Sequence, residues 1–273
     1  MKRLGLLVAL LAFQAAPPSA QQNPSSPRET PPIAPSEGTA SPQTARQKAE
    51  LRAQILMARK DYAQAVRAYE DLVRQDPKNA TFLNQEGIAY QQLSNLDLAE
   101  RYYKRAVKAD PKFADAINNL GTLEYANQRY GKAIKYYKKA LVVGGNSATV
   151  YSNLGYAYYA ERQYAHATEA FDKALAADPD IFARKGGGGS IVQQLSTSEP
   201  GMLHFLVAKS YAKVGDAERA ARYLKMARDD GYKDFMSAKK DADFARVIND
   251  PRVQEVLRAR PPYAAQPSKP VSN

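Results

Sequence analysis

The sequence predicts an all-α fold, a solenoid of about five antiparallel helix pairs closed by a short C-terminal helical cap, because three features recur in register. Alanine returns every 34 residues, at Ala65, Ala99, Ala133 and Ala167, and again at Ala220 after one period plus 19. Twelve residues before each stands a small residue (Ala53, Gly87, Gly121, Gly155, Ala208), and four after it a large one (Tyr69, Tyr103, Tyr137, Phe171, Leu224). Seven after it come Leu72, Ala106, Ala140, Ala174 and Ala227.

Helical geometry explains the set. Small residues let two helices approach closely, and the large residue on the same face fills the space beside them. Each period is therefore one helix pair, and stacking buries the apolar face that no pair covers alone. The array spans 45–259, with units at 46–79, 80–113, 114–147 and 148–181, an insertion at 182–200, and a fifth unit at 201–232. Asp76-Pro77, Asp110-Pro111 and Asp178-Pro179 end three units, because proline cannot continue a helix; Gly144-Gly145 punctuates the third. Gly231-Tyr232 ends the fifth, and Asp250-Pro251 offers an N-cap aspartate before a first-turn proline. Residues 233–259 form the cap, with Phe244, Val247, Val253 and Val256 as its expected buried side.

In the fourth unit, Tyr151, Leu154, Gly155, Tyr158, Tyr164, Ala167, Phe171, Ala174 and Pro179 stand at fixed offsets that the other units largely share. This pattern resembles the tetratricopeptide repeat (TPR) family of the bacterial exported type. The resemblance implies a right-handed superhelix whose first helices line a concave groove. The first unit departs from the pattern with Arg52 at an apolar position, as suits a terminal unit facing water; Glu86, Glu124 and His204 depart as well.

The ends read differently. Lys2 and Arg3, the apolar run Leu4 to Phe13, and small residues ending at Ala20 predict a secretory signal over 1–20, with cleavage after Ala20 or, less well placed, Ala16. A short buried N-terminal helix is the competing reading. Residues 21–44, rich in proline, serine and glutamine, predict a disordered spacer, and 260–273 a disordered tail. The chain has no cysteine, hence neither a disulfide nor a lipoprotein acylation site, so a soluble periplasmic or secreted protein is expected. An uncleaved signal would make the spacer a membrane tether. The net charge of +11 stays clearly positive without Lys2 and Arg3. No nucleic-acid-binding motif accompanies it, and export points instead to anionic envelope polymers or headgroups.

The resemblance also implies where binding occurs, at the second, fifth, ninth, twelfth and thirteenth positions of each first helix. The candidate peptide-binding groove is Asn84, Ile88 and Gln91 from the second unit and Asn118, Thr122 and Tyr125 from the third. The fourth adds Ser152, Tyr156 and Tyr159, and the fifth Phe205 and Lys209. Amides suit the backbone of an extended peptide, and tyrosines give contact area at low entropy cost. Alternatively the asparagines bridge neighbouring helices and the tyrosines pack among themselves. The cationic clamp by which one TPR subtype holds a C-terminal carboxylate is incomplete, since its positions hold Glu50, Asn84, Asn118 and Asn119, so no recognition of that kind is expected.

Second helices carry a candidate basic convex ridge, Arg101, Lys104, Arg105 and Lys108, followed by Lys135, Lys138 and Lys139. It could meet an anionic surface or consist of solvated lysines favoured by helix C-termini. The insertion holds Gly186 to Gly189 and the apolar residues Ile191, Val192 and Leu195, read as a hinge and a short packing segment. It lacks the Gly-Lys-Ser/Thr of a phosphate loop. His166 and His204 have no nucleophile at a recognisable spacing, and no cluster has metal-ligand spacing, so neither enzyme activity, metal nor cofactor is expected. The functional expectation is an exported adaptor or scaffold binding a protein or peptide partner in its groove. The alternative is a structural envelope component held by its basic face.

Overall fold

A computed structural model describes residues 42–144, 148–183 and 199–259. The expected signal, the Gly186–Gly189 hinge with its apolar segment, and the tail lie outside the described residues. The helices are α1 (Pro42–Ala58), α2 (Tyr62–Gln75), α3 (Ala80–Gln92), α4 (Leu96–Ala109), α5 (Ala114–Ala126) and α6 (Tyr130–Gly144). They continue as α7 (Ala148–Ala160), α8 (Tyr164–Ala177), α9 (Pro200–Val214) and α10 (Ala217–Asp229), then two 3-10 segments (Lys233–Lys239, Ala242–Phe244) and α11 (Pro251–Arg258). Among the described residues there is no strand. The predicted all-α solenoid of five pairs with a cap is the observed architecture. Helix α1 starts at Pro42, inside the stretch expected to be spacer, since proline fits the first helical turn.

Successive helices pair as α1/α2, α3/α4, α5/α6, α7/α8 and α9/α10. The second helix of each pair packs on the first helix of the next, at α2/α3, α4/α5, α6/α7 and α8/α9. The contact therefore persists across the insertion.

Within every pair the turn is the same. Lys60, Ser94, Gln128, Arg162 and Gly215 have positive φ, with values of 61, 60, 58, 59 and 84°. The following amide donates five residues back, as in Asp61 to Leu56 O (2.9 Å) and Asp216 to Tyr211 O (3.0 Å). This is the Schellman closure, in which a left-handed residue lets two amides satisfy terminal carbonyls. Only the fifth unit uses the glycine that such a backbone favours.

Between pairs, Asp76, Asp110 and Asp178 each donate an amide to the carbonyl four residues earlier, at 2.9 Å, before their prolines break the helix.

The small-to-large pairing appears as interlocking surfaces. A Cβ added at Gly87 would lie 2.6 Å from the Tyr103 ring, one at Gly121 2.6 Å from Tyr137, and one at Gly155 closer still to Phe171. The three rings are fully buried. Each glycine is thus a socket for the ring of its partner helix.

Phe182, which the repeat frame assigns to the insertion, is a core residue. Its ring meets Phe171 (5.4 Å), Tyr211 (6.3 Å) and Tyr156 (6.5 Å), and its carbonyl accepts from the Tyr223 hydroxyl at 2.7 Å. Arg219 ion-pairs with Asp180 alongside. Residues 180–183 consequently clamp α8 onto α9 and α10. At the other end Phe244, Val247, Val253 and Val256 are buried as expected, together with Phe235 and Leu257. Lys209 of α9 holds Asp241 (2.7 Å) and Asp243 (3.2 Å) of the cap.

Candidate peptide-binding groove

The amides on the first helices are fastened to one another. Asn119 donates to Asn84 Oδ1 and Asn153 to Asn118 Oδ1, both at 2.9 Å, and Asn118 donates to Asn119 Oδ1 at 3.4 Å. The fifth position of one unit thus bolts to the sixth of the next, leaving Asn84 only 2% exposed. Thr122 is buried too; its hydroxyl donates to Asn118 O at 3.2 Å and accepts from Tyr137. These groups, expected to face a peptide, are spent between helices, since a buried amide must find partners. Asn118→Ala should strand the Asn153 amide and lower stability by about 1–3 kcal/mol in urea unfolding.

The expected aromatic plates are likewise core. Tyr156, 3% exposed, stands between Phe171 (5.3 Å) and Phe182 (6.5 Å). Tyr125 packs edge-on against Tyr130 (5.1 Å), and burial pushes its phenol up to about 12. Tyr159 is buried beside Tyr164 and donates to the Glu199 carbonyl at 2.5 Å, so the chain returning from the insertion lies over it. Burial raises the Tyr156 and Tyr159 phenols above the usual tyrosine range. Ser152 is buried. Phe205 is covered by Tyr232 (5.0 Å) and Phe244 (5.8 Å), and Lys209 is engaged by the cap. Large aromatic side chains on consecutive units fill the inner face that smaller residues would leave open. Ile88 and Gln91 alone among the expected groove residues remain half-buried without engagement by the cap; Gln91 Oε1 accepts from the Tyr103 hydroxyl at 2.6 Å.

The inner face is open one unit earlier. A cleft of about 240 Å³ between α1 and α3 is lined by Glu50, Gln54, Met57, Thr81 and Gln85, with Tyr69 and Phe82 as its floor. Glu50, Gln54 and Met57 hold the fifth, ninth and twelfth positions of the first unit, so the register that marked the later candidates marks these as well. Arg46 bonds Glu50 (3.0 Å) and Asp76 (3.1 Å) and lies over the Phe82 ring (5.3 Å), so the one carboxylate lining the cleft, Glu50, is paired. The cleft combines the exposed Gln54 amide and Thr81 hydroxyl and the half-buried Gln85 amide with an apolar floor.

On the second helices Arg101, Lys104, Lys108, Lys135, Lys138 and Lys139 are exposed and Arg105 half-buried. Lys104 pairs with Glu100 (2.6 Å), Arg105 lies over Tyr102 (4.9 Å) and Lys138 over Tyr158 (5.6 Å). Helix α6 carries no acidic residue. His166 stacks on Tyr158 (5.1 Å), and His204 Nδ1 lies 2.6 Å from Asp230 Oδ2. Among the described residues no group of three His, Cys, Asp or Glu side chains is arranged to hold a metal, and no helix is long and apolar enough to cross a membrane.

Tetratricopeptide repeat family models match residues 50–112 and 84–149, and a second such model matches 148–181. No curated protein matches the chain. Among solved structures, Pseudomonas aeruginosa PilF is similar at 19% identity and TM-score 0.51, covering 79% of this chain and 88% of its own. PilW, described as a widely conserved type IV pilus biogenesis factor, is similar at 21% identity and TM-score 0.50, covering 78% of this chain and 90% of its own. At these identities the likeness concerns the fold. The matched repeats, the shared turn and the glycine sockets agree: across residues 50–181 the chain is a tetratricopeptide repeat protein.

Proposed function

We propose that the chain is a protein-interaction scaffold that takes an extended peptide segment of a partner along the inner face of its first helices, at the cleft between α1 and α3. The observation that carries this is the contrast along that face. Aromatic side chains close it from α5 onward, whereas Gln54, Thr81 and Gln85 remain accessible around an apolar floor. Primary amides donate and accept at once, which matches the alternating groups of an extended backbone. Met57 and Phe82 would receive the peptide's apolar side chains. On the sequence of residues 1–20 the same proposal places the mature protein in the periplasm or outside the cell.

A second reading keeps the exposed cations of α4 and α6 as an attachment face for an anionic envelope polymer or membrane, supported by the absence of acidic residues on α6. A pull-down from envelope extract separates the two. Groove capture is expected to survive high salt, to be lost in Gln54→Arg/Gln85→Arg, and to ignore Lys135→Glu/Lys138→Glu/Lys139→Glu. Retention that vanishes with salt and with the lysine reversals, but not with the glutamine changes, would favour surface attachment.

A further inference from the structure

Among the described residues no helix covers the outward side of α1. In each later pair the first helix lies against the second helix of the pair before it. At α3 this contact places Phe82 and Leu83 in one core with Tyr69, Leu72 and Val73 of α2. One period earlier than Phe82, Glu86 and Ala89 stand Lys48, Arg52 and Ile55 on α1, where no preceding helix is described. That face is not polar throughout. Ile55 is 41% and its neighbour Leu51 56% exposed. Beside them, α1 and α2 bound a cleft of about 420 Å³ in which Leu56 and Ala68 contribute apolar surface and Lys48, Arg52 and Arg67 the cations. Its one carboxylate, Asp71, is held by Arg74 at 3.1 Å. None of the three cations has an ion-pair partner among the described residues.

We propose that this face docks an acidic amphipathic helix of a partner protein, lying where the second helix of a preceding pair would lie. Apolar residues of that helix would cover Leu51, Ile55 and Leu56 while its carboxylates meet Lys48, Arg52 and Arg67. Charge selects this occupant. A second copy docked face to face would oppose the same cations, and the chain's own apolar run, Leu4 to Phe13, is led by Lys2 and Arg3. The inference is independent of the concave cleft, because α1 presents the two faces on different sides.

The test uses the full chain and a fluorescent synthetic peptide of the α2 sequence, Tyr62–Gln75, carrying Arg67→Glu and Arg74→Glu. This supplies the side chains that α2 offers α3, on an acidic helix. Fluorescence anisotropy is expected to show binding that weakens with salt and falls at least tenfold in the Arg52→Glu/Arg67→Glu chain. It should fall similarly in Leu51→Ser/Ile55→Ser and be unchanged in Gln54→Arg/Gln85→Arg. Circular dichroism of these surface variants should match the parent. Three results overturn the proposal: no binding, or binding indifferent to Arg52→Glu/Arg67→Glu; a dimer in sedimentation that Leu51→Ser/Ile55→Ser dissolves; and binding that appears only once Leu7→Asp/Leu10→Asp disrupts the chain's own apolar run. The second assigns the face to another copy, and the third to the chain's own N-terminal segment.

Discussion

Phe171→Ala is expected to cost about 3–5 kcal/mol, the range for truncating a buried aromatic ring. The ring is fully buried, contacts Tyr156 and Phe182, and seats against the Gly155 socket. Its loss therefore opens the α7/α8 pair and loosens the clamp that carries the chain across the insertion. The reciprocal change tests the geometry. Gly155→Ala improves helix propensity by about 1 kcal/mol, yet forces a methyl into the ring, a strain of about 1–3 kcal/mol. It should destabilise the parent protein or at best leave it unchanged. In the Phe171→Ala background, where the ring is gone, the same change should stabilise. Urea unfolding of the four proteins measures this cycle, and simple additivity would show that the two residues do not interlock. Because repeat arrays can open in parts, hydrogen exchange over 148–181 should accompany it.

The second large effect concerns Glu86, whose side chain is fully buried. Desolvation pushes its pKa up from 4.5 to about 7; the Tyr102 hydroxyl and the Arg105 cation offset part of that, and Glu70 adds to it. The folded state thus keeps a proton that the unfolded chain releases near 4.5. Glu86 contributes fully below the unfolded value, and that contribution declines as pH rises from there through about 7, by about 3 kcal/mol in all. Glu86→Leu should remove this slope and stabilise the protein by a similar amount above neutrality, since Leu120 and Leu154 occupy the same position in the next two units. Thermal melts between pH 5 and 8.5 decide it. A parent protein whose melting temperature changes with pH no more than that of the leucine variant would show that Glu86 does not titrate in this range.

Some features were legible in the sequence for reasons that are local and periodic. Gly87, Gly121 and Gly155 announce ring sockets because only the absence of a side chain admits Tyr103, Tyr137 and Phe171. Asp-Pro announces helix ends because proline lacks an amide donor. Val253 and Val256 stand on the side of the cap expected to cover the last repeat, and both are buried. The left-handed turn residues were hidden, because Lys60, Ser94, Gln128 and Arg162 carry no glycine and their backbone is imposed by the five-residue closure. Phe182 was hidden as well, since nothing in the repeat frame marks one aromatic at the mouth of an insertion as core.

The groove divides along the same line. Its register, the fifth, ninth and twelfth positions of each first helix, could be counted from the sequence, and in the first unit that register falls on Glu50, Gln54 and Met57, which line the cleft. Whether a residue in that register stays accessible depends on what the next unit places against it. Asn118 is closed by Asn153, Tyr156 by Phe182, and Phe205 by Phe244, partners 35, 26 and 39 residues away in the chain. By itself the sequence determined the fold and the spacing of its repeats, because helix propensity, small-residue contacts and proline stops act over a few neighbouring positions. Only the tertiary structure decided which end of the inner face is open and that no other described element covers the outward face of α1, because burial is a property of side chains brought together across repeats.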